Sequence, residues 1–206
     1  AHLGVLFLDE APEFKRDTLE ALRQPLESGE VTIMRSGSVL RYPCDFQLVM
    51  AANPCPCGFN TSSRCRCTPQ QRHRYATKIS APLLDRIDLQ VRVEPVRAEQ
   101  LHTRRQEESS TAVAQRVTAA RARQRERLAP FGITLNSQIG MELATGKLRI
   151  KKTALASIDR LLERGTVTAR GYLRILRTAW TLADLNKQDD PDSTCVDAAY
   201  SLRMNY

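Results

Sequence analysis

Gly4-Val5-Leu6-Phe7-Leu8-Asp9-Glu10 is the stretch that decides the fold. Its apolar run lacks polar alternation, which reads as a strand buried on both faces, the type found in parallel sheets. Two adjacent carboxylates follow at its carboxyl end, the rim where open α/β sheets bind ligands. An acidic pair there suits nucleotide hydrolysis, with Asp9 holding Mg²⁺, directly or through water, and Glu10 polarising the attacking water. The same residues also describe a buried strand that ends in a solvated acidic turn. The rest of the chain has to decide.

Outward from that strand, Pro12 suits the first turn of a helix, and Phe14, Leu19, Leu22 and Leu26 recur at helical spacing through Glu27, with Ser28-Gly29 as the stop. Val31–Met34 and Val39–Tyr42 flank Arg35-Ser36-Gly37-Ser38 and predict a hairpin, with Arg35 at its tip and Arg41 on the return strand. Phe46 to Ala52 predicts a second buried strand, ending in Asn53-Pro54. Asn53 either reaches a γ-phosphate or the attacking water, or forms an Asx-turn before the proline.

Cys55-Pro56-Cys57-Gly58 and Cys65-Arg66-Cys67 come next. Two C-x-C pairs across a short polar loop can supply four thiolates to one tetrahedral zinc. Free thiols or redox pairs are the alternative. Cys44 and Cys195 lie apart from the cluster and read as small buried hydrophobes. From Phe46 to Leu84 there is no acidic residue, while Arg64, Arg66, Arg72, Arg74 and Lys78 fall inside, interleaved with His73 and Tyr75. That segment either contacts phosphates or is a solvated basic loop that balances thiolates. Ser80 and Pro82 open a short helix, and Arg86 precedes an alternating run, Ile87 to Val93, that predicts a strand. Arg86 is either an internal partner of Asp85 or Asp88 or an arginine finger for a neighbouring subunit's phosphate.

Ala98 to Ala129 is a charged helical pattern that Ser109-Ser110-Thr111 can divide, mostly a solvated face, and Pro130-Phe131-Gly132 ends it. The remainder reads all-α: 138–145, then 152–163 with Leu155, Ile158, Leu161 and Leu162 inward, then 169–185 behind the Thr168 cap, then 193–203. Net charge is +8, which favours an anionic partner, and 42% hydrophobic residues permit a packed core. No run approaches the roughly 18 apolar residues of a membrane span, and Asn60-Thr61-Ser62 carries no weight as a sequon. Clustered cysteines fit a reducing compartment, so a cytoplasmic protein without a membrane partner is expected. The chain begins almost inside a strand, so an upstream part is expected. A phosphate-cradling G-x-x-x-x-G-K motif is absent: Gly146-Lys147 is followed by Leu148, and Gly140 lies one residue too far upstream.

Together these motifs resemble the AAA+ ATPases of the magnesium-chelatase-like clade, and within it the ComM/YifB group, along essentially the whole chain. GVLFLDE resembles a Walker B, PLESGEVTIMR the helix and hairpin that follow it, AANPCPCG a sensor 1 with an attached cysteine motif, SAPLLDRIDL an arginine-finger segment, and TARGYLRILRTAWTLADL a sensor 2 helix. The resemblance implies Asp9 as the Mg²⁺ ligand, Glu10 as the base, Asn53 as sensor 1, Arg86 as the finger and Arg170 as the sensor 2 arginine. The last two would touch ATP phosphates at subunit interfaces of a homo-oligomeric ring, commonly a hexamer. It also implies a hairpin that meets DNA, through Arg35 and Arg41.

The expected fold is α/β plus α, a partial AAA+ core followed by an α-helical lid: residues 1–97 core, 98–130 charged helical linker, 131–206 lid. The expected function is part of an ATP-hydrolysing motor for DNA branch migration in transformation and recombination, using ATP, Mg²⁺ and Zn²⁺, with this chain alone inactive for want of a Walker A. The alternatives are a magnesium-chelatase ATPase subunit, against which the cysteine motif argues, and a non-catalytic zinc-bearing interaction module.

Overall fold

The computed structural model describes residues 1–35, 37–59, 64–96 and 108–204. Its contacts divide into two units, Ala1–Ile87 and Asp88–Tyr206. Turn residue Ser36, the sequon Asn60-Thr61-Ser62 and positions 98–107 of the charged run lie outside the described residues.

In the first unit, β1 (Gly4–Leu8) is followed by a 3₁₀ turn, Ala11–Glu13, and by helices α1 (Arg16–Ala21) and α2 (Arg23–Ser28). The single helix expected from Pro12 to Glu27 is thus broken. Pro25 has no N–H to return to the carbonyl of Ala21, so the ladder cannot run through. Gly29, at φ 68°, ends α2 in the left-handed conformation that glycine adopts without strain. The hairpin forms where expected, as β2 (Glu30–Arg35) and β3 (Ser38–Pro43), antiparallel from Glu30↔Pro43 to Arg35↔Ser38.

Strand β4 (Phe46–Met50) pairs in parallel with β1 in the register Gly4↔Phe46 to Leu8↔Met50. Burial on both faces is a correction: Val5 and Phe7 are more than half exposed, and only Leu6 and Leu8 turn inward. A strand is covered on both faces only where a layer lies on each, and here the small core of Ala11, Leu19, Ile79 and Leu83 packs against Leu8, Met50, Leu22 and Leu26 on one side. Helices α3 (Pro69–Ala76) and α4 (Ala81–Leu84) complete the unit.

The second unit is helical: α5 (Ser110–Leu128), α6 (Met141–Thr145), α7 (Lys152–Glu163), α8 (Ala169–Leu185) and α9 (Ser193–Met204). Residues 87–93 form no strand. Their alternating apolar side chains Leu89, Val91 and Val93 are exposed, and Gln90 N–H instead donates to Leu202 O at 2.6 Å. Alternation predicts a strand only where a neighbour accepts its ladder. Ser109 caps α5, its hydroxyl accepting from Ala112 N–H at 3.2 Å; the part of the charged run before it, where a preceding helix would lie, falls outside the described residues.

Helix α8 buries Tyr172, Ile175, Leu176, Ala179, Trp180 and Ala183 along one stripe, into a core with Leu128, Ile139, Leu155, Ile158 and Val196. Leu162 of α7, expected inward, is exposed. The charged run is mostly a solvated face, as expected, with Arg116, Arg121 and Arg125 exposed. Arg127 is its inward arginine and pairs with Asp184 of α8, while Arg123 pairs with Asp189 and Arg116 with Glu108 at the surface. Among the described residues no helix is long and apolar enough to cross a membrane.

Candidate functional site

Flush strand ends build the site. With Leu8 opposite Met50, the chains leaving β1 and β4 run side by side. The pairing continues past both strands, as Ala51 N–H donates to Leu8 O at 2.9 Å and Ala11 N–H to Ala51 O at 2.8 Å. Asp9-Glu10 and Asn53 are therefore held at the same carboxyl rim. Both carboxylates are exposed, as is Asn53.

Glu10 sits at φ 49°, ψ 44°, in the left-handed region. For a residue with a Cβ that conformation costs about 1–2 kcal/mol, and such strain concentrates at sites of function. The adjoining bonds maintain it: Glu10 N–H donates to Asp9 Oδ1 at 2.9 Å, and its carbonyl accepts from Glu13 N–H at 2.7 Å.

Tyr75 of α3 was not singled out as a site residue in the sequence, yet it braces this rim. It is 4% exposed, and its hydroxyl is hydrogen-bonded to the Asn53 backbone. Burial raises its pKa first, and the charges of Glu13 and Glu10 raise it further. Lys78 lies 5.7 Å from the ring centroid and 3.5 Å from Glu13. The signal in the sequence is one aromatic in an otherwise polar helix, PQQRHRYA.

The four cysteines converge. Their sulfurs all lie within 4.8 Å of one another, with Cys55–Cys57 at 3.4 Å, Cys57–Cys65 at 3.6 Å and Cys55–Cys65 at 3.8 Å. A tetrahedron with Zn–S bonds of about 2.3 Å has edges of about 3.8 Å, so the spacing fits a zinc tetrathiolate. Backbone amides support it: Phe59 lowers the Cys57 thiol to about 6, and Cys67 N–H and Cys57 N–H point at the sulfurs of Cys65 and Cys67. These are the outer bonds that steady thiolate ligands. The Cys57 sulfur beside Cys67, together with burial, pushes the Cys67 thiol up to about 12. Gly58, at φ 76°, closes the first knuckle, its N–H donating to Cys55 O at 3.0 Å.

Cys55→Ser is expected to remove one equivalent of bound zinc and lower the melting temperature of the full-length protein by roughly 5–10 °C. Elemental analysis with a thermal scan checks this. Unchanged metal content and melting would mean that the cluster holds no structural ion.

Arg86 does not lie free. Its guanidinium pairs with Glu27 of α2, Nη1 donates to Pro82 O at 2.8 Å, and its side chain is 9% exposed. Glu27 is a further residue missed in the sequence, because nothing local announces a partner so far along the chain. Both line an open cleft with Glu20, Arg23, Gln24 and Thr32. Arg35 and Arg41 are exposed on the hairpin, Arg35 opposite Ser38 and Arg41 opposite Thr32.

In the second unit Arg170 is exposed in the first turn of α8, where the Thr168 hydroxyl accepts from Gly171 N–H at 3.0 Å. Farther along the helix, Arg174 pairs with Asp88, and Arg177 Nε donates to Ile139 O at 2.8 Å. Burial lowers the Arg177 pKa, with the Arg174 charge second.

Comparison with known proteins adds family relations. Residues 1–101 match the family described as magnesium chelatase, subunit ChlI, and residues 107–203 match its C-terminal family. An uncharacterized protein of Mycobacterium tuberculosis is 43% identical over 204 residues, covering 99% of this chain and 40% of its own length. YifB of Escherichia coli is 40% identical over 195 residues, covering 92% of this chain and 37% of its own. Competence protein ComM of Haemophilus influenzae is 41% identical over 183 residues, covering 88% and 35%. The chain thus spans 40% or less of the length of each of these relatives.

Proposed function

Because the chain belongs to the magnesium chelatase ChlI family, with YifB and ComM among its relatives, we propose that it is part of an ATP-hydrolysing AAA+ motor that acts on DNA. The observation that supports this most is the flush pairing of β1 and β4, which puts an acidic pair and an amide side by side at one sheet rim. Phosphoryl transfer is catalysed mainly by positioning and charge stabilisation, so placement is the relevant property.

In this reading the Glu10 carboxylate orients water for attack on the γ-phosphorus of ATP and takes its proton, releasing ADP and phosphate. Asp9 offers an exposed oxygen for Mg²⁺, which when bound neutralises charge on the phosphates. Asn53, steadied through its backbone by Tyr75, presents an amide to the attacking water or the γ-phosphate. Arg86 and Arg170 contact phosphates across subunit interfaces of a ring, commonly a hexamer. For Arg86 that requires exchanging Glu27 for phosphate, since its guanidinium is now paired inside its own unit. The hairpin arginines, Arg35 and Arg41, face DNA. The competence assignment of the ComM relative suggests branch migration during transformation and recombination. The cysteine cluster is read as a zinc site that stiffens the segment between Asn53 and α3.

The test is phosphate release by the full-length protein, alone and with DNA, combined with subunit mixing. Glu10→Gln and Arg86→Ala are each expected to be inactive. A one-to-one mixture should recover roughly a quarter of wild-type turnover, because one interface in four is complete in a randomly mixed ring. A mixture as inactive as its components would place Arg86 within its own subunit's chemistry. Absence of phosphate release from the wild type would remove the ATPase reading altogether.

A further inference from the structure

Several arginines of the helical unit have carboxylate partners: Arg116 with Glu108, Arg123 with Asp189, Arg127 with Asp184 and Arg174 with Asp88. The arginines around the cysteine cluster have none. Arg64, Arg66, Arg72 and Arg74 make no ion pair among the described residues, and no acid occurs between Phe46 and Leu84. Unpaired arginines on a braced surface are poorly explained by stability, which gains from neutralisation, and well explained by an anionic partner that arrives later.

The local geometry gathers them on one knob. Arg64 and Arg66 flank Cys65, whose sulfur is 3.6 Å from that of Cys57. Phe59, 51% exposed, is tied to the Cys57 sulfur through its own backbone amide. Helix α3, bearing Arg72 and Arg74, starts just after Cys67 and is held by a reciprocal cap: Gln71 N–H donates to the Thr68 hydroxyl at 3.2 Å, and Thr68 N–H to the Gln71 side chain at 2.8 Å. Arg64, Arg66 and Arg74 are exposed, and Arg72 is half-buried. A zinc tetrathiolate would carry two negative charges, fewer than the four arginines bring, so the knob stays net positive with metal bound. Internal balancing of thiolate charge therefore does not use them up.

We infer that this knob is a single-stranded nucleic-acid contact, with Arg64, Arg66, Arg72 and Arg74 on backbone phosphates and Phe59 stacking on a base. The inference rests on the DNA reading above and names a surface separate from the hairpin. Planar guanidinium forks suit phosphate oxygens. An exposed ring beside them suits an unpaired base, whose face a duplex would hide. No contact here requires a particular base, so recognition is of backbone and strandedness rather than of sequence.

The experiment is fluorescence anisotropy of the full-length, zinc-loaded protein with a labelled oligothymidine, repeated over a range of salt concentrations. Replacing Arg64, Arg66 and Arg74 together by Gln is expected to weaken binding at least tenfold. It should also flatten the dependence of log affinity on log salt by about 2, at roughly 0.7 per lost phosphate contact on a single strand. Phe59→Ala is expected to weaken binding roughly tenfold with little change of slope, since stacking releases few counterions. Zinc content and melting should match the wild type in both, which separates lost contact from lost fold. The single reversal Arg66→Glu is a second check and should weaken binding more than Arg66→Gln. Wild-type affinity and slope in the triple variant would overturn the knob while leaving the hairpin in place. Loss in Arg35→Ala/Arg41→Ala alone would point to the same conclusion. A wild type without affinity for DNA would overturn both the knob and the DNA reading it rests on.

Discussion

Glu10→Gln in the full-length protein is expected to lower ATP turnover roughly a hundred- to ten-thousand-fold, the range of a positioned general base, and to leave ATP binding intact. The substitution preserves size and removes only the charge and the basic oxygen. Glutamine inherits the same left-handed backbone at φ 49°, so the strain at position 10 is unchanged and the fold is not a confounding variable. The bonds that shape the turn, from Glu10 N–H to Asp9 Oδ1 and from Glu13 N–H to Glu10 O, do not involve the Glu10 side chain. Single-turnover phosphate release and nucleotide binding measured on the same preparation separate the two effects. Hydrolysis at the wild-type rate would take Glu10 out of the chemistry and return the acidic pair to its plainer reading as a solvated turn.

The second large effect lies in the helical unit and concerns stability. Asp184→Ala is expected to destabilise it by about 3–5 kcal/mol, the cost of breaking a buried pair from one side. Asp184 is 2% exposed and receives both Nη atoms of Arg127, one of them at 2.8 Å. Asn136 joins the same network, donating to Asp184 at 3.1 Å and accepting from Arg127 at 2.8 Å. The Arg127 guanidinium also lies 4.3 Å from the Trp180 ring centroid, and the Trp180 indole N–H donates to Leu148 O at 3.2 Å. Removing the carboxylate strands a cation that is 16% exposed against an aromatic wall. A fall in melting temperature of roughly 10–20 °C would follow. The double variant Arg127→Met/Asp184→Leu should recover most of the loss, because no charge is then left unpaired. If Asp184→Ala melted within a degree of wild type, the network would be ornamental.

What could be read in advance was whatever depends on neighbours in sequence. The helices 152–163 and 169–185 and the hairpin around Gly37 follow from periodicity and caps, and they form with those bounds or within a residue of them. The cysteine cluster was also legible, because four thiols so close in sequence cannot lie far apart in space. Asp9, Glu10 and Asn53 were each visible as polar residues ending apolar runs, and the parallel register then brings them together.

What could not be read depends on partners far along the chain. Burial of β1 is decided by the layers beside it, not by its composition. The pairing of Arg86 with Glu27, of Arg127 with Asp184 and of Tyr75 with the Asn53 backbone leaves no periodic trace. The same limit explains the missing strand at 87–93, where a correct alternation had no ladder to join.

Position 10 is where thermodynamic fitness and the proposed chemistry part company. Glycine would adopt the left-handed turn freely and would relax about 1 kcal/mol of conformational strain. Selection acting on stability alone would therefore drift toward glycine there. On the role proposed for Glu10, a descendant that had abandoned hydrolysis should reveal it first at that position, by gaining thermal stability as it loses the carboxylate.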